Sequence, residues 1–179
     1  MPGSDHRNIK AAPAGPGSAI LIVGFGNPLM ADDGAGPEVV RQLLTAPLPA
    51  GVRVEDGGSD SLRLPSLWRG EAQVWIVDAV AGGGQGGDVV RLSHEELLAV
   101  PQRHATAHAL SLPEALRWIA LGYPEMAAVR YRMWGIAARD LGLHAGLSAF
   151  TAANVDRVAR EILHEAALAA AEAERGRGQ

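Results

Sequence analysis

Acids, glycines and histidines recur in four short stretches whose spacing could do chemistry. The first is Gly24-Phe25-Gly26-Asn27-Pro28-Leu29-Met30-Ala31-Asp32-Asp33-Gly34-Ala35-Gly36-Pro37, where two adjacent carboxylates follow two closely spaced glycines. A G-x-G after an apolar run invites a dinucleotide-binding reading. The third glycine of G-x-G-x-x-G would fall at position 29, which is Leu, and paired carboxylates would repel a pyrophosphate. Asp32 and Asp33 can instead cap a helix that begins near Pro37, a role worth about 1 kcal/mol, or serve as ligands. The second stretch starts at Asp78, which follows the apolar run Val74–Val77 and precedes a glycine-rich segment. It reads either as a carboxylate presented just past a strand end or as a turn-forming Asp. The third, Asp56-Gly57-Gly58-Ser59, reads most simply as a turn. The fourth holds His104 and His108. Ser111, Pro113 and Glu114 carry the spacing of a capping box, so His108 should lie in the loop before that helix. No Glu follows His104, and the zinc-protease H-E-x-x-H pattern is absent.

These groups need a scaffold, and the hydrophobic pattern supplies one. Ala19–Phe25 and Val74–Val77 are continuous apolar runs of the kind expected for strands buried on both faces. Val52–Val54, Val89–Leu92 and Val129–Trp134 read as strands nearer a sheet edge. Helical patterns run over Pro37–Leu44, Ser61–Trp68, Leu110–Leu121 and Ala152–Ala171, with a short turn at His94–Leu98. This alternation predicts an α/β three-layer domain, a twisted, mostly parallel sheet of about five strands with helices on both faces. In such folds the loops leaving the C-terminal strand ends form the functional edge. Asp33, Asp78 and His108 would then share one edge. Two carboxylates and one imidazole make an open three-ligand site for a borderline divalent cation.

Composition narrows the classes further. With 179 residues, 47% hydrophobic and 20% charged, the chain can bury a core without staples. It has no cysteine, which excludes disulfides, thiolate zinc sites, iron–sulfur clusters and a cysteine nucleophile. The net charge is −4, Lys10 is the only lysine, and no basic run suits nucleic acid. Apolar runs fall short of the ~18 residues a membrane span needs, and no signal-peptide pattern opens the chain. A cytoplasmic monomer is expected, with a disordered tail over residues 1–18, one domain over 19–174 and a frayed tail over 175–179.

The segment Ile20–Gly36 resembles the hydrogenase maturation proteases, which trim the C-terminal extension from the large-subunit precursor of [NiFe] hydrogenases. The resemblance continues through Asp56-Gly57-Gly58-Ser59, Ile76-Val77-Asp78-Ala79, Thr106–Leu116 and Gly135-Ile136 ahead of Leu141-Gly142-Leu143. It covers about Ala19 to Ile162 in order, and its G-x-G-N-x-L-x-x-D-[DE]-G-x-G string is specific. The resemblance implies a twisted sheet flanked by helices and a catalytic, metal-binding set of Asp33, Asp78 and His108. It also implies nickel delivered in the substrate precursor, no organic cofactor, and the large-subunit precursor as partner.

Two positions depart from the family pattern. Gly135-Ile136 is followed by Ala137-Ala138-Arg139-Asp140 where a Glu is common, so Arg139 reverses a charge. Ser59-Asp60 stands where Thr and small residues are common. Two other readings stay open at this stage. One is a non-catalytic nickel-sensing or chaperone-like module that binds the precursor. The other is a peptidyl-tRNA hydrolase-like esterase, whose opening Gly24-Phe25-Gly26-Asn27-Pro28 would fit but whose basic surface is missing.

Overall fold

The computed structural model describes residues 19–81, 88–101 and 111–177. The expected tail over 1–18, the glycine-rich residues 82–87, the segment 102–110 with His104 and His108, and residues 178–179 lie outside the described residues. The strands are β1 (Ile20–Phe25), β2 (Val52–Gly58), β3 (Gln73–Ala81), β4 (Val89–Leu92) and β5 (Arg130–Ala138). The helices are α1 (Ala35–Leu44), α2 (Leu64–Leu67), α3 (His94–Ala99), α4 (Leu112–Gly122) and α5 (Ala149–Arg177). The sheet runs β2-β1-β3-β5-β4, parallel except for β4, which pairs antiparallel with β5. The expected α/β architecture is therefore the one found, with the two most apolar strands at its centre.

Strand alternation divides the core into two layers. Ile20, Ile22, Trp75, Val77, Trp134 and Ile136 face one way and pack with α1 and α5. Leu21, Val23, Val74, Ile76, Tyr131 and Met133 face the other way, against α2, α3 and α4. The helices answer with stripes at helical spacing: Leu112, Ala115, Leu116 and Ile119 on α4, and Val155, Val158, Ala159 and Ile162 on α5 are all buried. Each fully buried Leu, Ile or Val contributes about 1.5–3 kcal/mol, so these two faces hold the sheet between its helices.

Several boundaries differ from the sequence pattern. Asp78 does not follow β3 but lies within it, paired with Gly135, because backbone pairing with β5 carries the strand on to Ala81. Asp56-Gly57-Gly58 is not a free turn; it ends β2, with Asp56 beside Gly24 and a register shift that lets Gly58 pair with Phe25. The Phe25 ring fills the space where a Gly57 side chain would sit. A 3-10 turn over Ala31–Gly34 leads directly into α1, which starts at Ala35 instead of Pro37, and no side chain caps it. Asp32 and Asp33 are thus not helix caps. Helix α5 begins at Ala149 behind Ser148 and runs to Arg177, past the expected fraying point at Glu174.

The first turn of α1 lies against the ends of β1 and β3 at a distance only glycine permits. A β-carbon on Gly36 would stand 2.1 Å from the Phe25 carbonyl oxygen and 2.7 Å from that of Val77. One on Gly24 would meet the Gly36 carbonyl oxygen at 2.3 Å. Gly26, at φ +136, would place its own β-carbon 1.9 Å from the Asp33 carbonyl oxygen. All the opposing atoms are backbone and cannot swing aside. Gly36→Ala should therefore cost about 3 kcal/mol or more, far beyond the usual gain from Gly→Ala in a helix. Urea unfolding of the variant checks this, and an unchanged midpoint would contradict the packing.

Candidate active site

The ends of β1 and β3 are not level. β1 pairs with β3 only as far as Gly24, opposite Val77, whereas β3 continues beside β5 to Ala81. Asp78 is the first β3 residue beyond that point, so it keeps a strand neighbour on one side only. By alternation it shares its face with Val74 and Ile76, the face covered by α4. The 3-10 turn Ala31–Gly34 packs against β3 and supplies Asp33. Asp33 and Asp78, two of the three residues singled out from the sequence, are in this way brought to one edge.

Their electrostatics follow from this placement. The Asn27 N–H donates to Asp33 Oδ2 at 2.7 Å, and the Ala79 N–H donates to Asp78 Oδ1 at 2.8 Å. Burial pushes the Asp78 carboxyl up to about 7; the Ala79 N–H works against that shift, and the negative charge of Asp33 adds to it. A pair of carboxyls so placed binds a proton at neutral pH or takes a divalent cation in its stead. His108, the third candidate, lies outside the described residues, three positions before Ser111 at the start of α4. Ser111 is the expected cap: its N–H and hydroxyl donate to Glu114 Oε2 at 2.9 and 2.8 Å. No group of three metal-ligating side chains is complete among the described residues.

Asp32 plays a part that its neighbour does not share. It is fully buried, and its carboxylate accepts hydrogen bonds from the Ser148 N–H (2.7 Å), Arg139 N–H (2.9 Å), Asp140 N–H (3.0 Å) and Ser148 hydroxyl (3.0 Å). Burial alone would raise its pKa, but the backbone donors outweigh that and hold it down at about 2. Ser148 was not singled out from the sequence, although a Ser ahead of a long helical pattern is a cap signal, and its Oγ accepts from the Thr151 N–H. Arg139, the residue of reversed charge, lays its guanidinium over the Phe150 ring at 3.4 Å. Asp56 is exposed, with Oδ1 accepting from the Gly58 N–H. It lines a cleft of about 340 Å³ with Pro28, Ala31, Gly34, Pro37 and Leu147, beside the turn that carries Asp33.

The raised pKa of Asp78 has a direct consequence for stability. An unfolded Asp titrates near 3.9, so between about pH 4 and 7 the folded chain binds a proton that the unfolded chain does not, and stability falls as pH rises through that window. Asp78→Asn removes this slope. In chelator-treated protein the variant should match the wild type near pH 4 and exceed it at pH 8 by an amount on the order of 4 kcal/mol. Parallel denaturation curves at both pH values would show the Asp78 environment to be misread.

Comparison with known proteins agrees with this architecture. The sequence model of one family, hydrogenase maturation protease, matches residues 37–165, well over half of the chain. The hydrogenase expression/formation protein HupD of Rhodobacter capsulatus is 39% identical over 82 residues, which are 45% of this chain and 39% of that protein. The hydrogenase 2 maturation protease of Escherichia coli is 26% identical over 146 residues, 80% of this chain and 88% of that protein. Among solved structures, the [NiFe] hydrogenase maturation protease HybD from Thermococcus kodakarensis superposes with a TM-score of 0.66 at 31% identity, covering 83% of this chain and 98% of the other. The chain belongs to the hydrogenase maturation protease family, whose named members are peptide-bond hydrolases.

Proposed function

We propose that the chain is the endopeptidase that removes the C-terminal extension of a [NiFe] hydrogenase large-subunit precursor after nickel insertion, with nickel in the substrate as the recognition element. The observation that carries this reading is the pair Asp33 and Asp78 on one sheet edge, each accepting one backbone N–H among the described residues, with burial first and the Asp33 charge second raising the Asp78 pKa. Two carboxylates and a histidine hold a borderline cation modestly. The chain has no cysteine, so any soft thiolate ligands must come with the cargo. Asp33, Asp78 and His108 would complete the coordination of the incoming nickel and so fix the scissile peptide beside them, where a carboxylate or a polarised water attacks. No organic cofactor is needed. The reaction takes place in the cytoplasm, and the protein acts as a monomer. Among the described residues no helix is long and apolar enough to cross a membrane.

The test is to mix the purified chain with nickel-loaded and metal-free precursor and follow release of the C-terminal peptide. Cleavage is expected only with nickel. Cleavage indifferent to nickel removes the recognition mechanism, and no cleavage of any precursor removes the endopeptidase reading in favour of a binding module.

The histidine assignment gives a sharper prediction. His108→Ala should abolish processing at every pH, whereas His104→Ala should leave it nearly unchanged; the reverse pattern would move the ligand to His104. In the wild type, processing should weaken as pH falls through about 7 to 6, because Asp78 regains its proton and an ordinary imidazole, near 6.5, loses its lone pair to one.

A further inference from the structure

The geometry points to Asp32 as a positioning residue for the proposed reaction: its buried carboxylate ties the turn that carries Asp33 to the 139–148 loop and so sets where the Asp33 carboxylate stands. This rests on the reading of Asp33 as a site residue. Asp32 and Asp33 are neighbours in one 3-10 turn, yet their side chains have separate partners. Asp32 takes four donors from Arg139, Asp140 and Ser148, while Asp33 takes the Asn27 N–H. The loop also returns bonds to the turn. The Asp32 N–H donates to the Asp140 carbonyl at 3.0 Å, and the Ala31 N–H donates to the His144 carbonyl at 2.8 Å.

Ala31 shows that the latch does more than fill space. Its φ of +44 lies in the left-handed region that a residue with a β-carbon adopts only when its surroundings impose it. The imposed bend lies one residue before Asp32 and two before Asp33. Released from the loop, Ala31 would relax toward negative φ and rotate the turn, carrying the Asp33 carboxylate away from the Asn27 N–H. A buried anion is needed for this latch because three of its four donors are backbone N–H groups, which an apolar side chain would leave unpaired and an amide could satisfy only through its single oxygen.

The distinguishing measurement is the Asn27 amide signal in the 15N-labelled full chain, since that N–H reports directly on Asp33 Oδ2 at 2.7 Å. Asp32→Asn should move this signal upfield and speed its hydrogen exchange. Ile162→Ala, which loosens the fully buried core under α5 without touching the turn, should leave it in place. If Asp32→Asn does not fold, Ser148→Ala removes one donor of the four and should give the same change in smaller degree. With nickel-loaded precursor, Asp32→Asn should lower kcat by about 10- to 100-fold with KM nearly unchanged, as misplacement of a reacting group does. An unmoved Asn27 amide, or a loss confined to KM, would overturn the positioning role. Failure of the wild type to cut any precursor would strike the proposed function instead, and the amide comparison would still decide whether Asp32 controls Asp33.

Discussion

The site depends on how closely the first turn of α1 approaches the sheet. Gly24 and Gly36 remove the β-carbons that would otherwise strike the carbonyls of Gly36, Phe25 and Val77 between helix and sheet, and Gly26 removes the one that would strike the Asp33 carbonyl of the 3-10 turn. With that contact in place, the chain leaving β1 must return to the sheet edge before α1 begins, and its last four residues, Ala31–Gly34, form a 3-10 turn packed against β3. The Asp33 charge is felt at Asp78 for this reason. A glycine-rich strand-to-helix turn in other α/β proteins brings backbone N–H groups to a phosphate. Here the same economy of side chains brings one carboxylate within the electrostatic reach of another, an arrangement that disfavours a pyrophosphate.

Much of this was legible in the sequence. The alternation of apolar runs and helical stripes gave the layers, and β4 has the bounds its apolar pattern suggests, Val89–Leu92. The S-x-x-E spacing at Ser111 and Glu114 marked the start of α4 correctly. Side-chain pattern did not report how far backbone pairing continues. β3 runs past its apolar stretch because β5 pairs with it residue for residue, and β2 runs through two glycines because Phe25 needs the space at Gly57. The role of Asp32 had no local signal. Its partners lie more than a hundred residues away along the chain, and three of the four donors are backbone N–H groups that any residue type would supply.

The two acids of the Asp-Asp pair also show why residue type underdetermines role. Both are short carboxylates in the same turn, and spacing alone made either a candidate ligand or cap. Asp32 is surrounded by donors that hold it ionised and anchor it within the fold. Asp33 accepts a single hydrogen bond among the described residues, and its charge is still felt at Asp78. A fully buried carboxylate that already accepts four hydrogen bonds from within the fold is not presented to a ligand from outside, and this separates the anchor from the candidate ligand more firmly than sequence order does.

Asp78 is the counterpart of that argument. It lies on a strand face where Val74, Ile76 and Val80 are apolar, and another aliphatic residue at this position would have added core in place of a desolvated carboxyl. Among the described residues Asp78 has one N–H donor and a like charge nearby, an arrangement that lowers stability whenever the group ionises. Asp32 shows that this chain can surround a buried carboxylate with donors when the role is structural. Among the described residues the contrast between the two acids is sharp, and the perturbed carboxyl at Asp78 is of the kind that concentrates at functional sites. Positive charge would relieve it: a proton does so near neutral pH in the free protein, and on the function proposed above a divalent cation presented with the substrate's own ligands would do the same.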